Sequence, residues 1–351
     1  MNEMGITETL ISNIGRLIED SRRRTVMAVN TTMVYTYYEI GRMIVEHEQN
    51  GKLRAGYGMR VLKNVSNQLI FQYGKGWSVE NLKAMRRFYL VYSNWVNTVY
   101  PIQDNREEIQ IIHNKPYPKF TLSWSHYLKL MRIDNVDERR FYEIEATRNH
   151  WSLRELERQF NTSLYERLAM GRDKEKIYEL SQQGQIIERP QDMIKDPYIL
   201  EFTGLSEMPS YTEKNLEAKL IDNLQMFLLE LGKGFTFVGR QVRISFDEEH
   251  YYIDLVFYNR ILRAFVLVDL KREKLKHQDI GQMQMYVNYY DREVKLEDEN
   301  PTIGLLLCTD KTDAMVKYTL PKDNKQIFAA KYKTILPGKS ELKQLMNSTS
   351  E

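Results

Sequence analysis

Apolar positions recur at helical spacing through most of the first half of the chain. Leu10, Ile11, Ile14, Leu17 and Ile18 form one set, and Val61, Leu62, Val65, Leu69 and Ile70 another. Gly74-Lys75-Gly76 then interrupts the pattern, and glycine suits the left-handed turn that ends a helix. Ser78 stands where the next helix needs an N-cap, ahead of Leu82, Met85 and Phe88 on one face. Residues 60–92 therefore predict two helices joined by a short glycine turn, the outline of a helix-turn-helix. Such hairpins are common and most serve no nucleic acid. Ser152-Leu153-Arg154-Glu155 reads as a capping box opening a further helix with Leu153, Leu156 and Phe160 together. The prediction for residues 8–170 is an all-helical domain.

The pattern loosens over 171–210, where Gln182-Gln183-Gly184-Gln185 precedes Pro190, Pro197 and Pro209; a connector with short helical pieces is expected. A second domain is predicted over 211–340. It opens with a helix at 213–231 carrying Leu216, Leu220, Ile221, Leu224, Phe227, Leu228 and Leu231, closed by Gly232. Strands follow at 235–246, 250–258 and 263–271, then a helix at 278–291 and a buried strand at 303–309. The element order is αβββαβ, so the whole chain reads as a two-domain α+β/α/β protein.

Two of those strands hold an acid inside an apolar run: Ile253-Asp254-Leu255-Val256-Phe257, and Val266-Leu267-Val268-Asp269-Leu270-Lys271. An uncompensated carboxylate in a sheet core costs several kcal/mol. A divalent cation is one compensation. Mg²⁺ prefers oxygen ligands, keeps several waters and needs only one or two carboxylates with a carbonyl. Asp254 and Asp269 could supply the carboxylates, and the backbone carbonyl of Leu270 lies beside them in sequence. Lys271 shares a strand face with Asp269, because strand side chains repeat with period two. Glu217 on the preceding helix is a further acid that could reach the metal directly or through water. Gln282 and Tyr286 are four apart on the following helix and share a face. Gln282 could bond the lysine or a scissile phosphate, and Tyr286 could pack against it or stack on a nucleotide. Gln241, on the first strand, is a weaker member of the same set. The bland alternative is a solvent-facing acid on each strand, with the alternation running the other way.

Charge adds a local feature to a near-neutral chain of 351 residues and net charge +2. Residues 51–100 hold Lys52, Arg54, Arg60, Lys63, Lys75, Lys83, Arg86 and Arg87 against Glu80 alone. That is a candidate footprint for a polyanion, with Lys83, Arg86 and Arg87 placed to face phosphates or bases. A solvated helix face accounts for the charge equally well. Cys308 sits in an apolar run and reads as a small buried hydrophobe. The six histidines lack metal-ligand spacing, and His250 and His277 read as turn residues. Trp77, Trp124 and Trp151 read as core anchors. With neither a signal-like segment nor a long apolar span, the expectation is a cytoplasmic protein without membrane contact.

The order of elements, together with Asp254, Asp269-Leu270-Lys271 and Gln282-x-x-x-Tyr286, resembles the PD-(D/E)XK nuclease superfamily. Within it, the chain is similar to the bacterial YhcG-type proteins. The residues carrying this are Phe227 to Phe235, Phe237-Val238-Gly239-Arg240-Gln241, Ile253 to Tyr258 and Gly281-Gln282-Met283. In the first half they are Tyr38 to Arg42, Tyr73 to Ser78 and Trp151 to Glu157. The resemblance implies a restriction-endonuclease-like fold for the second domain. It further implies metal ligation by Asp254 and Asp269, catalysis by Lys271, and support from Glu217 and Gln282. Two departures stand out. No proline precedes Asp254, and Asp269 replaces the glutamate expected in YhcG-type proteins, one methylene shorter.

The expectation is thus a nuclease using Mg²⁺, with Mn²⁺ as a substitute, that hydrolyses phosphodiester bonds of DNA by a metal-activated water. The helical domain would bind nucleic acid or a partner, and a homo-oligomer is compatible with this reading. The rival is a non-catalytic DNA-binding or assembly protein that keeps a nuclease fold; an RNA substrate would serve the same chemistry.

Overall fold

A computed structural model of the chain describes residues 3–50, 55–98, 109–112, 115–169, 174–205, 211–246 and 248–335. The chain divides into two compact units, Met1–Glu157 and Arg158–Glu351. Among the described residues no helix is long and apolar enough to cross a membrane.

The first unit is built on three long helices, α1 (Glu3–Asn50), α2 (Ala55–Tyr73) and α3 (Val79–Thr98). The apolar residues expected on α3, Leu82, Met85 and Phe88, do face inward, and Tyr92 is buried with them, as are Val34, Tyr38 and Val45 of α1. These two helices approach so closely that a Cβ on Gly41 would lie 2.1 Å from the carbonyl oxygen of Met85. The turn between α2 and α3 follows the sequence, with Gly74 at φ 82° and Gly76 at φ 116°. Ser78 accepts from the Asn81 amide at 3.2 Å, the cap its position predicts. A short antiparallel hairpin, β1 (Ile109–Ile112) and β2 (Lys115–Pro118), interrupts the otherwise helical unit. The expectation of helix throughout missed it, because strands of four residues carry too little periodicity to register. Two further helices follow, α4 (Trp124–Leu130) and α5 (Val136–Arg148), and α6 (Leu153–Asn161) runs across the boundary between the units. Its Ser152 cap accepts from the Glu155 amide at 3.2 Å.

In the second unit, α7 (Leu164–Ala169) and α8 (Lys174–Gln183) precede β3 (Tyr198–Ile199). The stretch expected as a connector therefore adds an edge strand, and Ile187, Met193, Tyr198, Leu200 and Leu205 join the core. The helix expected at 213–231 is two helices, α9 (Glu213–Asp222) and α10 (Leu224–Leu231). They break at Asn223 (φ −116°, ψ 33°), whose backbone amide and side-chain amide both donate to the Lys219 carbonyl. Asparagine competes for backbone acceptors in this way and disfavours an uninterrupted helix.

The sheet comprises β4 (Phe235–Phe246), β5 (Glu249–Asn259), β6 (Ala264–Lys274), β7 (Ile303–Asp310) and β8 (Ile327–Lys333), in the order β3-β8-β7-β6-β5-β4. β4, β5 and β6 run antiparallel, whereas β6-β7, β7-β8 and β8-β3 are parallel. The helix α11 (His277–Tyr289) makes the crossover from β6 to β7, and α12 (Asp313–Thr319) the crossover from β7 to β8. β6 and β7 are buried on both faces, which is why they read as unbroken apolar runs. One face packs on α9 and α10 through Leu216, Leu220, Phe227 and Leu231. The other packs on α11 through Ile280, Met283, Tyr286 and Val287.

Candidate active site

The antiparallel ladder between β5 and β6 ends at the rung Leu255 with Val268. The next rung would set Asp254 against Asp269, so the sheet forks at the two acids. There the Asp254 side chain takes the place of a strand partner, and its Oδ2 accepts from the Leu270 amide at 2.8 Å. Asp269 and Lys271 alternate onto the α11 face, and Lys271 Nζ lies 2.8 Å from Asp269 Oδ2 and 3.9 Å from Asp279 Oδ1. The first approach is a close ion pair to a buried oxygen, and Lys271 is the cation that compensates Asp269.

Electrostatics set this pair apart. Burial, then the neighbouring charge of Asp254, pushes the Asp269 carboxyl up to about 7 against the pull of Lys271. Burial works against the Lys271 charge, but Asp269, Glu213 and Asp279 outweigh it and hold the amine above its ordinary value. Lys271 is therefore a proton-bearing cation here, suited to donate to an anion and unsuited to act as a base.

On the other side of β5, a bulge at Val238 shifts the β4 register by one residue between Phe237 and Gly239. Gln241 consequently stands across from Asp254, between the rungs Arg240 with Leu255 and Val242 with Ile253. Its Nε2 donates to Asp254 Oδ1 at 3.0 Å and to Glu217 Oε2 at 2.8 Å. Glu217, on α9, is buried, and burial followed by the charge of Asp254 raises its carboxyl.

The structure thus gathers Glu217, Gln241, Asp254, Asp269, Leu270 and Lys271 around one fork, and Gln282 joins them through Tyr286. Gln282 hydrogen-bonds the Tyr286 hydroxyl, which in turn donates to the Tyr252 carbonyl at 3.1 Å. Tyr286 is fully buried, so the expectation that it stacks on a nucleotide is corrected: no ring face is open to a base. Asp279 escaped the sequence reading. It accepts from the Lys276 amide at 2.8 Å as a helix cap, and that spacing was its only signal. Glu213 was likewise missed; it accepts from the Arg272 amide at 3.0 Å. His250, expected in a turn, instead lies near the start of β5, where it is exposed and its ring pairs with Ser245 across the β4–β5 ladder at 3.0 Å. On α3, Lys83 and Arg87 are exposed and Arg86 is half-buried. Arg86 Nε donates to Glu48 of α1 at 2.7 Å, and Arg87 lies 3.9 Å from Asp134.

Among the described residues no three His, Cys, Asp or Glu side chains are grouped closely enough to hold a metal by themselves. The donor set nevertheless suits a hard cation. The Asp254 and Asp269 carboxylates flank one fork, both are hard oxygen donors, the Asp269 carboxyl is buried, and Mg²⁺ completes its shell with water.

Comparison with known proteins places both halves. Residues 13–167 match the DUF1016 N-terminal domain and residues 191–347 the YhcG PDDEXK nuclease domain. The sequence is 39% identical over 338 residues to the Escherichia coli (strain K12) protein named "Putative nuclease YhcG", spanning 93% of this protein and 90% of that one. Among solved structures, a repair endonuclease from Pyrococcus abyssi matches over 36% of this protein and 48% of its own length, at 19% identity and TM-score 0.26. EndoMS in apo form matches over 37% and 48%, at 16% identity and TM-score 0.24. Neither structural likeness is close enough to carry an argument. With relatedness running nearly end to end and the acids of the second half gathered at one fork, this protein belongs to the YhcG family of PDDEXK nuclease-domain proteins.

Proposed function

We propose that the protein hydrolyses phosphodiester bonds of DNA with the help of Mg²⁺ or Mn²⁺ held at the fork between β5 and β6. The observation that carries this reading is Asp269: a buried carboxyl pushed up to about 7 beside Asp254, with the charged Lys271 amine 2.8 Å from its Oδ2. A site that leaves two acids and a lysine this close without a compensating ligand is destabilising, and a cation offsets that. Asp254, Asp269 and the Leu270 carbonyl would hold the ion. A bound divalent ion supplies a water of lowered pKa and charge for the phosphate. Lys271 keeps its proton at Nζ and presents it to a phosphate oxygen, offsetting the charge that develops there. Gln282, anchored on Tyr286, presents a neutral donor from the same side.

Incubation of plasmid and linear DNA with either ion, comparing wild type with Asp254→Ala and Lys271→Ala, tests the assignment. Each substitution should lower the cleavage rate by at least about a hundredfold. Cleavage that survives both would remove this site from the reaction.

A further inference from the structure

Glu217 and Asp254 come from different elements and do not meet. Between them stands the Gln241 amide, donating to Glu217 Oε2 at 2.8 Å and to Asp254 Oδ1 at 3.0 Å. Three features serve that placement. The bulge at Val238 moves Gln241 across from Asp254; without the extra residue it would face Ile253. Gln241 adopts φ 47°, a conformation a residue with a side chain takes at a cost. Asp254, meanwhile, has its second oxygen pinned by the Leu270 amide at 2.8 Å. With one oxygen fixed from β6 and the other from β4, the carboxylate plane is set.

We propose that Gln241 is a positioning residue through which Glu217 acts on the metal site: Glu217 orients the Gln241 amide, the amide orients Asp254, and Glu217 is not itself a metal ligand. This rests on the metal-dependent reading above and assigns Glu217 a different place in it. The amide has two hydrogens and directs Nε2 at both acids, so it links them into one unit. Groups that orient a ligand in this way typically govern metal affinity by about tenfold or more.

A double-mutant cycle on the full-length protein, read by Mn²⁺ affinity from calorimetry or electron paramagnetic resonance, tests the series of contacts. Asparagine tolerates positive φ but is one methylene too short to span both acids, so Gln241→Asn isolates the bridge from backbone strain. Gln241→Leu removes the donor altogether. Each of these, and Glu217→Gln, should weaken Mn²⁺ binding about tenfold. Combining Glu217→Gln with either should weaken it no further, because both act through one link. Multiplying effects, about a hundredfold in the double variant, would make Glu217 an independent ligand and overturn the inference. Unchanged affinity in both Gln241 variants would overturn it as well. Wild type that takes up no Mn²⁺, with Asp254→Ala behaving identically, would instead fail the metal-dependent reading and take this inference with it.

Discussion

Glu230 of α10 is fully buried, and burial alone would raise its carboxyl. The charges of Arg167, Lys195 and Arg158, with the Arg167 hydrogen bond, outweigh that and hold it down to about 2 from an ordinary 4.5. Arg167 Nη1 lies 2.5 Å from Glu230 Oε1, Arg158 Nη2 lies 3.3 Å from Oε2, and the Ile199 amide donates to Oε1 at 2.9 Å. The folded protein binds this proton more weakly than the unfolded one does. Its stabilisation is therefore complete above about pH 4.5 and is lost as pH falls towards 2. The shift corresponds to on the order of 3 kcal/mol. Equilibrium unfolding of wild type and Glu230→Gln across that range should show the gap between them closing as pH drops; a gap independent of pH would contradict the account. Glu143 works in the opposite sense, since burial raises it to about 7 and its charging costs stability as pH rises from 4.5 through 7. None of this was legible from composition. Glu230 sits in an apolar helix, Phe227-Leu228-Leu229-Glu230-Leu231, and its basic partners lie between 35 and 72 positions away in sequence.

At the level of elements, the α2-turn-α3 hairpin was readable because its signals are local: two apolar stripes, two glycines and a serine cap. Its role was less readable, because the fate of each cation depends on a distant helix. Arg86 is partly engaged by Glu48, and Lys83 and Arg87 are the most exposed cations of that face. If this face meets phosphates, Lys83→Glu with Arg87→Glu should weaken DNA binding and flatten its salt dependence by roughly two units of log-log slope. An unaltered slope in a gel-shift titration would release α3 from that role. The strands behave similarly. Period-two alternation placed Asp269 and Lys271 on one face correctly, since β6 is regular throughout the run. It could not place Gln241 beside Asp254, because the Val238 bulge changes the register by one residue.

For the molecule as a whole, the metal-dependent reading has a consequence separate from catalysis. A cation bound only by the folded state stabilises it by about 2.7 kcal/mol at a hundred times its Kd. Mg²⁺ or Mn²⁺ should therefore raise the melting temperature of wild type and leave that of Asp254→Ala unchanged. Equal shifts in both would mean that the ions bind elsewhere. The burial of Asp269 sets the direction of the shift, because the ion offsets a charge that burial disfavours.

The amino-acid sequence by itself determined the α2-turn-α3 hairpin, the four strands β4 to β7 and the helix α11, that acids interrupt two apolar strands, and that a lysine shares a face with one of them; it did not reach β3, β8, α12 or the β1–β2 hairpin. Those properties depend on spacing between near neighbours, and spacing survives in one dimension. Only the tertiary structure decided where the sheet forks, that Glu217 meets Asp254 through Gln241, that Tyr286 is closed to a base, and that Arg86 is already paired. Each of those depends on a bulge or a partner far along the sequence, and such long-range arrangements are set by packing rather than by local pattern.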